Sequence, residues 1–263
     1  MKKDNKLITA IVILSAVIVL QWIFIANIGR ARKPEIKPSV PAAAIVYPRI
    51  AIVLDDWGYN LNSFSILDGI DRPLTMAVLP NLNFSRTAAK ELQKRGFEVI
   101  LHLPMQPREN VRLEKNTILI SSSEEEIKSI LNKDLAGMPV SGVSNHMGSA
   151  ATSDLRIMRV VFEELKKRNL YFFDSFVISN SVCPELARKM RVRFAKRDIF
   201  LDNINDAQYI KSQIYKLKLK AKFYGSAIGI GHDRKLTLEV LAQVMPELEK
   251  EGYKFVFLSD LVK

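Results

Sequence analysis

The three histidines of this 263-residue chain, His102, His146 and His232, each lie at the end of a short apolar run. An adjacent pair of carboxylates, Asp55 and Asp56, ends another such run. Neutral imidazole nitrogens and carboxylate oxygens are ligands that suit Zn²⁺ or a similar divalent ion. Such an ion lowers the pKa of a water molecule toward about 7. These residue types predict metal-assisted hydrolysis, in which one carboxylate accepts a proton and one histidine donates a proton to the leaving group.

Each of these residues also has a structural explanation when it is taken alone. A lone histidine is more often a satisfied structural residue than a ligand, and an Asp pair at a strand end often caps the next helix. The functional interpretation depends on convergence, because the carboxyl ends of parallel strands meet at one face of an α/β fold. Asp174 ends a further apolar run and adds a third carboxylate to that face.

The elements that would position these residues alternate between β-rich runs and amphipathic stretches. A repeated β-then-α order implies parallel strands with right-handed crossovers, in either an open doubly wound sheet or a barrel. Seven or eight such units in about 215 residues favour a compact barrel. The predicted strands are Ile50 to Leu54, Thr75 to Leu79, Glu98 to Leu101, Ser141 to Ser144, Leu170 to Phe173, Arg191 to Ala195, Ala227 to Ile230 and Phe255 to Leu258.

Apolar residues recur at helical spacing in four stretches, within residues 127–135, 155–165, 210–217 and 241–248. Capping residues give the limits of the predicted helices. The predicted starts are Ser123, Ser153 and Thr237, and the predicted stops are Gly96, Gly137 and Gly252.

The residues from Leu7 to Gly29 include no charged side chain. A helix of that length, at about 1.5 Å per residue, spans the roughly 30 Å hydrocarbon layer of a membrane. We therefore predict an N-terminal transmembrane helix in residues 1–29, with a cleaved signal peptide as the alternative. Basic residues flank both ends of the span, so the positive-inside rule does not settle its orientation. Four prolines predict an extended tether at residues 30–48, followed by one globular domain at residues 49–263.

The formal net charge of +11 is concentrated near the predicted span. Residues 1–48 hold seven Lys/Arg and two Asp/Glu, against 32 and 26 in the remainder. This distribution favours phospholipid headgroups over nucleic acid as the partner of the basic excess. The run KLKLKAK from Lys216 to Lys222 is expected to be a solvated helix face, with a nucleic-acid patch as the alternative. A single cysteine, Cys183, excludes an intrachain disulfide and a thiolate zinc site.

Six segments of the globular domain resemble a known family. They are IAIVLDDWGYN, VILHLPMQP, GVSNHMGS, FFDS, KRDIFLD and IGIGHDR. Through them residues 49–263 resemble the divergent polysaccharide deacetylases, a branch of the NodB-homology superfamily of carbohydrate esterases. The resemblance implies a distorted (β/α)7-type barrel of parallel strands. It also implies metal-dependent removal of N- or O-linked acetyl groups from sugars.

The resemblance also implies roles for individual residues. Asp55 would be the general base, Asp56 a metal ligand and His232 the general acid that protonates the leaving amine. Asp174 would orient the catalytic groups, and Arg197 would hold a carboxylate or a substrate oxygen.

The metal motif departs from the usual family pattern, in which two histidines lie close together on one segment. HLPMQP offers only His102. We infer that His146 supplies the second imidazole from the next strand end, because neighbouring strands are about 4.8 Å apart. Together with Asp56 these residues are expected to bind a divalent metal, with Zn²⁺ the first choice.

Four further residues are candidates for substrate binding: Trp57, Tyr59, Asn145 and Asp233. The two aromatic side chains could stack on a sugar or could only pack at the barrel rim. The expected protein is a membrane-anchored hydrolase whose barrel faces the periplasm or extracytoplasmic space. It would deacetylate an N-acetylated polysaccharide such as peptidoglycan. The alternative is an inactive envelope protein that uses the same barrel to bind a glycan or a partner.

Overall fold

The computed structural model describes residues 2–28 and 47–263, and the chain divides into two compact units at residues 45–46. The first unit contains the helix α1 (Lys2–Ile28). Its segment Ile8–Asn27 has a mean hydropathy of 2.7 and no buried side chain. By length and composition this helix could cross a membrane, a property that signal sequences share. The predicted tether lies outside the described residues, except for Tyr47 and Pro48.

The second unit is built on a curled sheet in which every strand pairing is parallel. Its strands are β1 (Arg49–Trp57), β2 (Thr75–Val78), β3 (Glu98–Met105), β4 (Gly142–Met147), β5 (Tyr171–Asp174), β6 (Phe194–Lys196), β7 (Ile199–Phe200), β8 (Ser226–His232) and β9 (Lys254–Phe255). The strand order is β6-β5-β4-β3-β2-β1-β8-β7, and β9 pairs with the start of β1. The sheet thus forms an incompletely closed barrel with β6 and β7 at its edges, as the predicted distorted barrel requires.

Helices connect the strands on the outside of the sheet. They are α2 (Phe64–Leu67), α3 (Ser85–Lys94), α4 (Glu124–Leu135), α5 (Leu155–Lys167), α6 (Cys183–Met190), α7 (Ala207–Tyr224) and α8 (Lys235–Lys250). The prediction of Ser123 as a helix start is confirmed, since it forms a capping box with Glu126 at the start of α4. The other two starts were misplaced: α5 is capped by Asp154, and α8 begins after Arg234.

The strands are buried on both faces, which explains their continuous apolar runs. In β1, Ile50, Ile52 and Leu54 belong to a core shared with the helices, while Ala51 and Val53 face the barrel interior. The core clusters of this unit contain no residue before Ile50. The barrel unit therefore packs its own core and is expected to fold without α1.

One glycine is required by the packing of the barrel interior. Gly142 begins β4 and lies against the ring of Tyr171, which begins β5. A Cβ atom at residue 142 would come within 2.4 Å of that ring. Glycine thus allows the tyrosine ring to fill the interior near the amino ends of the strands, an end that we call the base. The opposite end, at the carboxyl ends of the strands, is called the mouth.

Candidate metal centre and active site

The end of β1 carries one residue more than its partner strand. Leu54 and Trp57 are three residues apart in β1, whereas the residues with which they pair in β2 are only two residues apart. This register shift is that of a β-bulge. Asp56 lies in this bulge with φ of +68°, in the left-handed region that residues other than glycine rarely adopt. Consecutive side chains of a regular strand point to opposite faces. The bulge changes this alternation, so that Asp55 and Asp56 both reach the mouth.

Asp56, His102 and His146 form a cluster at the mouth. One ligand atom from each residue lies within 4.8 Å of the other two. The Oδ1 atom of Asp56 is 3.5 Å from His102 Nε2 and 3.2 Å from His146 Nδ1. Asp55 approaches the same His102 Nε2 atom, with its Oδ2 at 3.6 Å. Two strands and the bulge of a third thus bring together the residues predicted to hold a metal.

The protonation states of this cluster suit a metal ion. Burial would raise the pKa of Asp56, but the contacts from His102 and His146 outweigh it and hold the pKa well below its usual range. Burial, reinforced by His146, lowers the pKa of His102 to about 4, so this imidazole is neutral at pH 7. Among the described residues the buried Oδ1 of Asp56 has no hydrogen-bond partner. An ionised carboxylate with an unsatisfied oxygen beside a neutral imidazole fits a zinc-type ligand set.

A hydrogen bond of 2.8 Å joins His102 Nδ1 to the hydroxyl of Ser144 on the neighbouring strand. Histidines that bind metals usually have such a partner on the second ring nitrogen, because it fixes the orientation of the ring. Ser144 is fully buried and was not singled out in the sequence. Its position two residues before His146 on β4 is the feature that could have identified it.

Asp55 is buried next to a second carboxylate. Burial first, and then the charge of Asp56, raise the pKa of Asp55 well above its usual range, while Arg197 acts in the opposite direction. The guanidinium of Arg197 is held by the backbone carbonyls of Ser175 and Phe176, at 2.6 and 2.8 Å. A carboxyl group with a raised pKa is suited to accept a proton near neutral pH.

His232 lies across the mouth from the cluster and is paired with Asp202. The distance from His232 Nδ1 to Asp202 Oδ1 is 2.8 Å, and the His232 backbone N–H donates to Oδ2 at 2.9 Å. Asp202 is fully buried, and burial would raise its pKa, but the hydrogen bonds from His232 outweigh this and lower it. The other ring nitrogen, Nε2, lies 3.9 Å from Asp56 Oδ2. An imidazole held in this way can carry a proton on Nε2.

Asp202 is a candidate site residue that the sequence did not single out. It lies two residues after the end of β7, in the segment KRDIFLD, which was identified only as part of the family pattern. The two-residue strand β7 was not predicted, because a run this short does not establish a period. The acidic residue after the apolar IFL was the available signal.

The Asp174 carboxylate forms its hydrogen bonds with the loop that follows β5 and not with Asp55, Asp56 or the histidines. Its Oδ1 accepts from the Phe176 N–H at 2.7 Å, and its Oδ2 accepts from the Ser181 hydroxyl at 2.7 Å. Because the carbonyls of Ser175 and Phe176 hold Arg197, Asp174 acts on the mouth through this loop. The role predicted for Asp174, that it orients the catalytic groups, stays a prediction, and these contacts indicate that it would act through the loop and Arg197.

Two of the predicted substrate-binding residues are buried in structural positions. Trp57 is fully buried, with its ring packed edge-on against Phe64. Asn145 is 1% exposed, and its side chain bonds the Met147 carbonyl and the Ser175 N–H. Neither offers a surface to a sugar. The prediction for Trp57 is wrong because the bulge turns this residue away from the mouth, toward the helices.

The other two candidates lie at or near open space. Tyr59 is half exposed and its hydroxyl donates to Glu114 at 2.6 Å. It lines a cleft of about 550 Å³ formed by the loops that follow β1, β2 and β3. Asp233 is close enough to Asp56 for that charge to raise its pKa, in addition to the larger effect of burial. The polar residues that line the cleft are Tyr59, Asn81, Asn83, Arg112, Glu114 and Lys115.

Comparison with known sequences finds relatives of this chain in two bacteria. The chain is 35% identical over 208 residues to the uncharacterised protein YibQ of Escherichia coli K12, which covers 79% of this chain and 65% of that protein. It is 32% identical over 205 residues to an uncharacterised protein of Haemophilus influenzae, which covers 77% and 73%. The E. coli relative thus extends beyond the matched segment by about a third of its length.

Solved structures share the fold at lower identity. An uncharacterised protein from Agrobacterium tumefaciens superposes with a TM-score of 0.78 at 20% identity, over 84% of this chain and 92% of that one. A mutant of a Bacillus anthracis protein described as a CE4 family pseudoenzyme gives 0.54 at 15% identity, over 82% and 67%. Residues 52–262 match the family profile of the divergent polysaccharide deacetylases. The chain therefore belongs to the divergent polysaccharide deacetylase family.

Proposed function

We propose that this protein is a metal-dependent hydrolase that removes acetyl groups from N-acetylated sugars of a cell-envelope polysaccharide. The observation that carries the proposal is the convergence of the Asp55 and Asp56 carboxylates on one nitrogen of His102, within reach of His146. The Asp202–His232 pair faces this cluster across the mouth. Family membership supports the choice of acetyl groups on a polysaccharide as the substrate.

Asp56, His102 and His146 would hold the ion, with Zn²⁺ as the expected metal. When bound, it would act as a Lewis acid toward the acetyl carbonyl and the attacking water. Asp55 is the proposed general base, because its buried carboxyl has a raised pKa and lies beside the ligand cluster. Arg197 limits that rise and so helps Asp55 to remain ionised.

His232 is the proposed general acid. Its Nδ1 is bonded to Asp202, so a proton on Nε2 is available to the leaving amine. Asp202 stabilises the imidazolium form, since the buried carboxylate has its negative charge next to the ring. Base and acid thus approach the ligand cluster from β1 and β8, two strands that pair through Asp55 and His232.

The cleft beside Tyr59 is the proposed binding groove for sugar residues adjacent to the reacting one. Tyr59 in its lining is three residues after Asp56 in the chain, and the cleft presents amide, hydroxyl and basic groups. Such groups recognise sugar hydroxyls and acetamido oxygens by hydrogen bonding. Its volume of about 550 Å³ is in the range of small-molecule sites.

Acetate release from chitooligosaccharides or peptidoglycan fragments tests the activity. The zinc-loaded barrel unit should release acetate, and Asp55→Asn or a chelator should abolish the release. Asp71→Asn is the matched control, because Asp71 is exposed and pairs with its neighbour Arg72. Absence of release by the zinc-loaded wild-type protein from every N-acetylated glycan tested would reject the proposal.

We further propose that α1 is an uncleaved anchor and that the barrel faces the periplasm or extracytoplasmic space, where such polysaccharides are found. The length and hydropathy of α1 support the anchor. A reporter fused to the C-terminus should be active only outside the cytoplasm, and mass spectrometry of the purified membrane form should find the N-terminal residues. A cytoplasmic signal would overturn the topology.

A second candidate function is an inactive barrel that binds a glycan or partner at the mouth. The departure from the two-histidine metal segment favours it, because His102 and His146 come from different strands. The fold also occurs in a protein described as a pseudoenzyme. Metal analysis separates the candidates: zinc at one ion per chain supports the hydrolase, whereas a metal-free protein that binds glycan supports the binder.

A further inference from the structure

The outer face of α7 has an unusual composition. The helix contains five lysines and no acidic residue. Its inner face, including Ile214 and Leu217, belongs to the barrel core. On the outer face Tyr215, Leu219 and Phe223 follow one another at intervals of four residues, so they form a stripe along the helix. The lysine run of the sequence thus flanks an apolar stripe.

The stripe is exposed to an extent that is rare for large apolar residues. Phe223 is 81% exposed and Tyr224 is 70% exposed, and their rings meet edge-on at 4.8 Å. Tyr215 and Leu219 are about half exposed. A contiguous apolar surface of this kind on a soluble unit indicates a binding site for an apolar partner.

The charges that flank the stripe are all positive on α7. Lys218 and Lys220 pair with Glu251 and Asp198. Lys216 and Lys222 lie on the exposed surface, and neither is paired with a carboxylate among the residues that the structure describes. Aromatic and aliphatic residues bordered by lysines are the composition of helices that lie in the interface of an anionic bilayer. The lysine stems can extend alongside apolar groups while their ammonium groups reach the phosphates.

The stripe lies toward the base of the barrel, where the chain enters from the N-terminal segment. The backbone N–H of Arg49, the first residue of β1, donates to the carbonyl of Gly225 at 3.0 Å. Tyr47, two residues earlier, is 52% exposed. The Phe223–Tyr224 pair is therefore adjacent in structure to the point where the segment that follows the apolar helix joins the barrel. The metal cluster lies at the mouth, the opposite end.

We propose that the C-terminal half of α7 docks on the anionic surface of a lipid bilayer, with Phe223 and Tyr224 inserted among the headgroups. Two observations favour a bilayer over a protein or nucleic acid. The positive charge complements anionic lipid, and the surface lies beside the start of β1, which a helix long and apolar enough to span a membrane precedes in the chain. Docking there leaves the mouth directed away from the bilayer. The proposal does not depend on the hydrolytic activity.

Co-sedimentation with vesicles tests the proposal on the barrel unit, residues 46–263, which packs its own core. The unit should bind vesicles of phosphatidylcholine mixed with phosphatidylglycerol and should bind pure phosphatidylcholine about tenfold or more weakly. Phe223→Ser with Tyr224→Ser should weaken binding about tenfold, because the variant lacks the two rings that the bilayer would bury. Lys216→Gln with Lys222→Gln should weaken it about twentyfold and reduce its salt dependence.

Matched substitutions on another face serve as controls. Leu155→Ser removes an apolar residue that is 59% exposed on α5, and Lys90→Gln removes a lysine from α3. Neither should change vesicle binding. In the full chain, amide exchange of residues 215–224 should slow in the mixed vesicles relative to pure phosphatidylcholine.

Three results would overturn the proposal. The first is a barrel unit without affinity for the mixed vesicles. The second is equal weakening by the control variants and the α7 variants. The third is salt-dependent DNA binding or self-association that the Phe223 and Tyr224 substitutions remove, in a protein that does not bind vesicles.

Discussion

The two ends of the barrel use charged and aromatic residues in opposite ways. At the mouth Asp55, His102 and Asp202 are almost entirely buried, and their pKa values are shifted by burial and by one another. At the base Lys216 and Lys222 are exposed. Two aromatic residues differ in the same direction, since Trp57 is buried near the mouth and Phe223 is exposed toward the base.

This contrast shows at which end of the barrel the exact position of a charged group determines its ionisation. Charges at the mouth interact at short range in a poorly solvated site, so a change of a single atom alters their ionisation. Charges toward the base are screened by water and salt, and they act additively on a distant surface. The mouth therefore has the properties of a reaction site, and the base has those of a docking surface.

The largest effect is expected for Asp56, a proposed metal ligand at the mouth. Asp56→Asn should lower activity by about 10³-fold or more, since it removes the charged ligand. Asparagine tolerates the left-handed conformation of residue 56, so the fold should persist. Acetate release and zinc content measure the effect, with Asp71→Asn as the control. Full zinc occupancy in Asp56→Asn would remove this residue from the ligand set.

The next effect is expected for the partner of the proposed general acid. Asp202→Asn should lower the rate about 10²-fold or more and move the alkaline limb of the pH–rate profile to lower pH, because the imidazolium of the proposed general acid loses its stabilising charge. The folded pKa of Asp202 is depressed, so its contribution to stability is present above pH ~4 and is lost as pH falls through the folded pKa. The variant should therefore show weaker acid dependence of its unfolding free energy. An unchanged pH–rate profile would indicate a purely structural role.

A packing change near the base should affect stability and leave the chemistry intact. Gly142→Ala should destabilise the barrel by about 1–3 kcal/mol, because the added Cβ overlaps the Tyr171 ring. Thermal unfolding measures the loss. Adding Tyr171→Leu should recover part of it, and simple additivity of the two changes would contradict the proposed overlap.

The smallest effect is expected for the lysines toward the base. Lys216→Gln with Lys222→Gln should change the unfolding free energy by no more than about 0.5 kcal/mol. Activity on soluble fragments should also be unchanged, since the active site lies at the other end. Denaturant unfolding and acetate release check both expectations. A large loss of activity on soluble substrates would remove the separation between the two ends.

The repeated β-then-α order was sufficient to predict the barrel, because strands buried on both faces leave strong apolar runs in the sequence. Helices α3 and α6 were missed. They have ten and eight residues, and their buried faces consist mainly of small side chains such as Ala88, Ala89 and Ala187, so neither helix leaves a series of large apolar residues in the sequence. The stops at Gly96, Gly137 and Gly252 agree with their positive φ values just after α3, α4 and α8.

The candidate site was predictable to the extent that strand ends converge. Asp56, His102 and His146 do lie together. The parallel sheet is sufficient to place His102 and His146, whereas Asp56 also requires the bulge in β1. The direction of individual side chains was harder to predict from the sequence. Trp57 and Asn145 lie in strands that end at the mouth, but a bulge and hydrogen bonds to the Met147 carbonyl and the Ser175 N–H direct their side chains elsewhere. Such deviations depend on local backbone geometry that residue types do not encode.

The single additional residue in β1 has a consequence for how this site can change over time. It converts two neighbours in the sequence into two groups that approach one imidazole nitrogen. Deleting one residue here would restore regular pairing but would remove a carboxylate from the mouth, whereas substitutions elsewhere in β1 leave the arrangement in place. The arrangement of Asp55 and Asp56 should therefore persist when neighbouring residues are substituted, and should be lost when β1 is shortened by one residue.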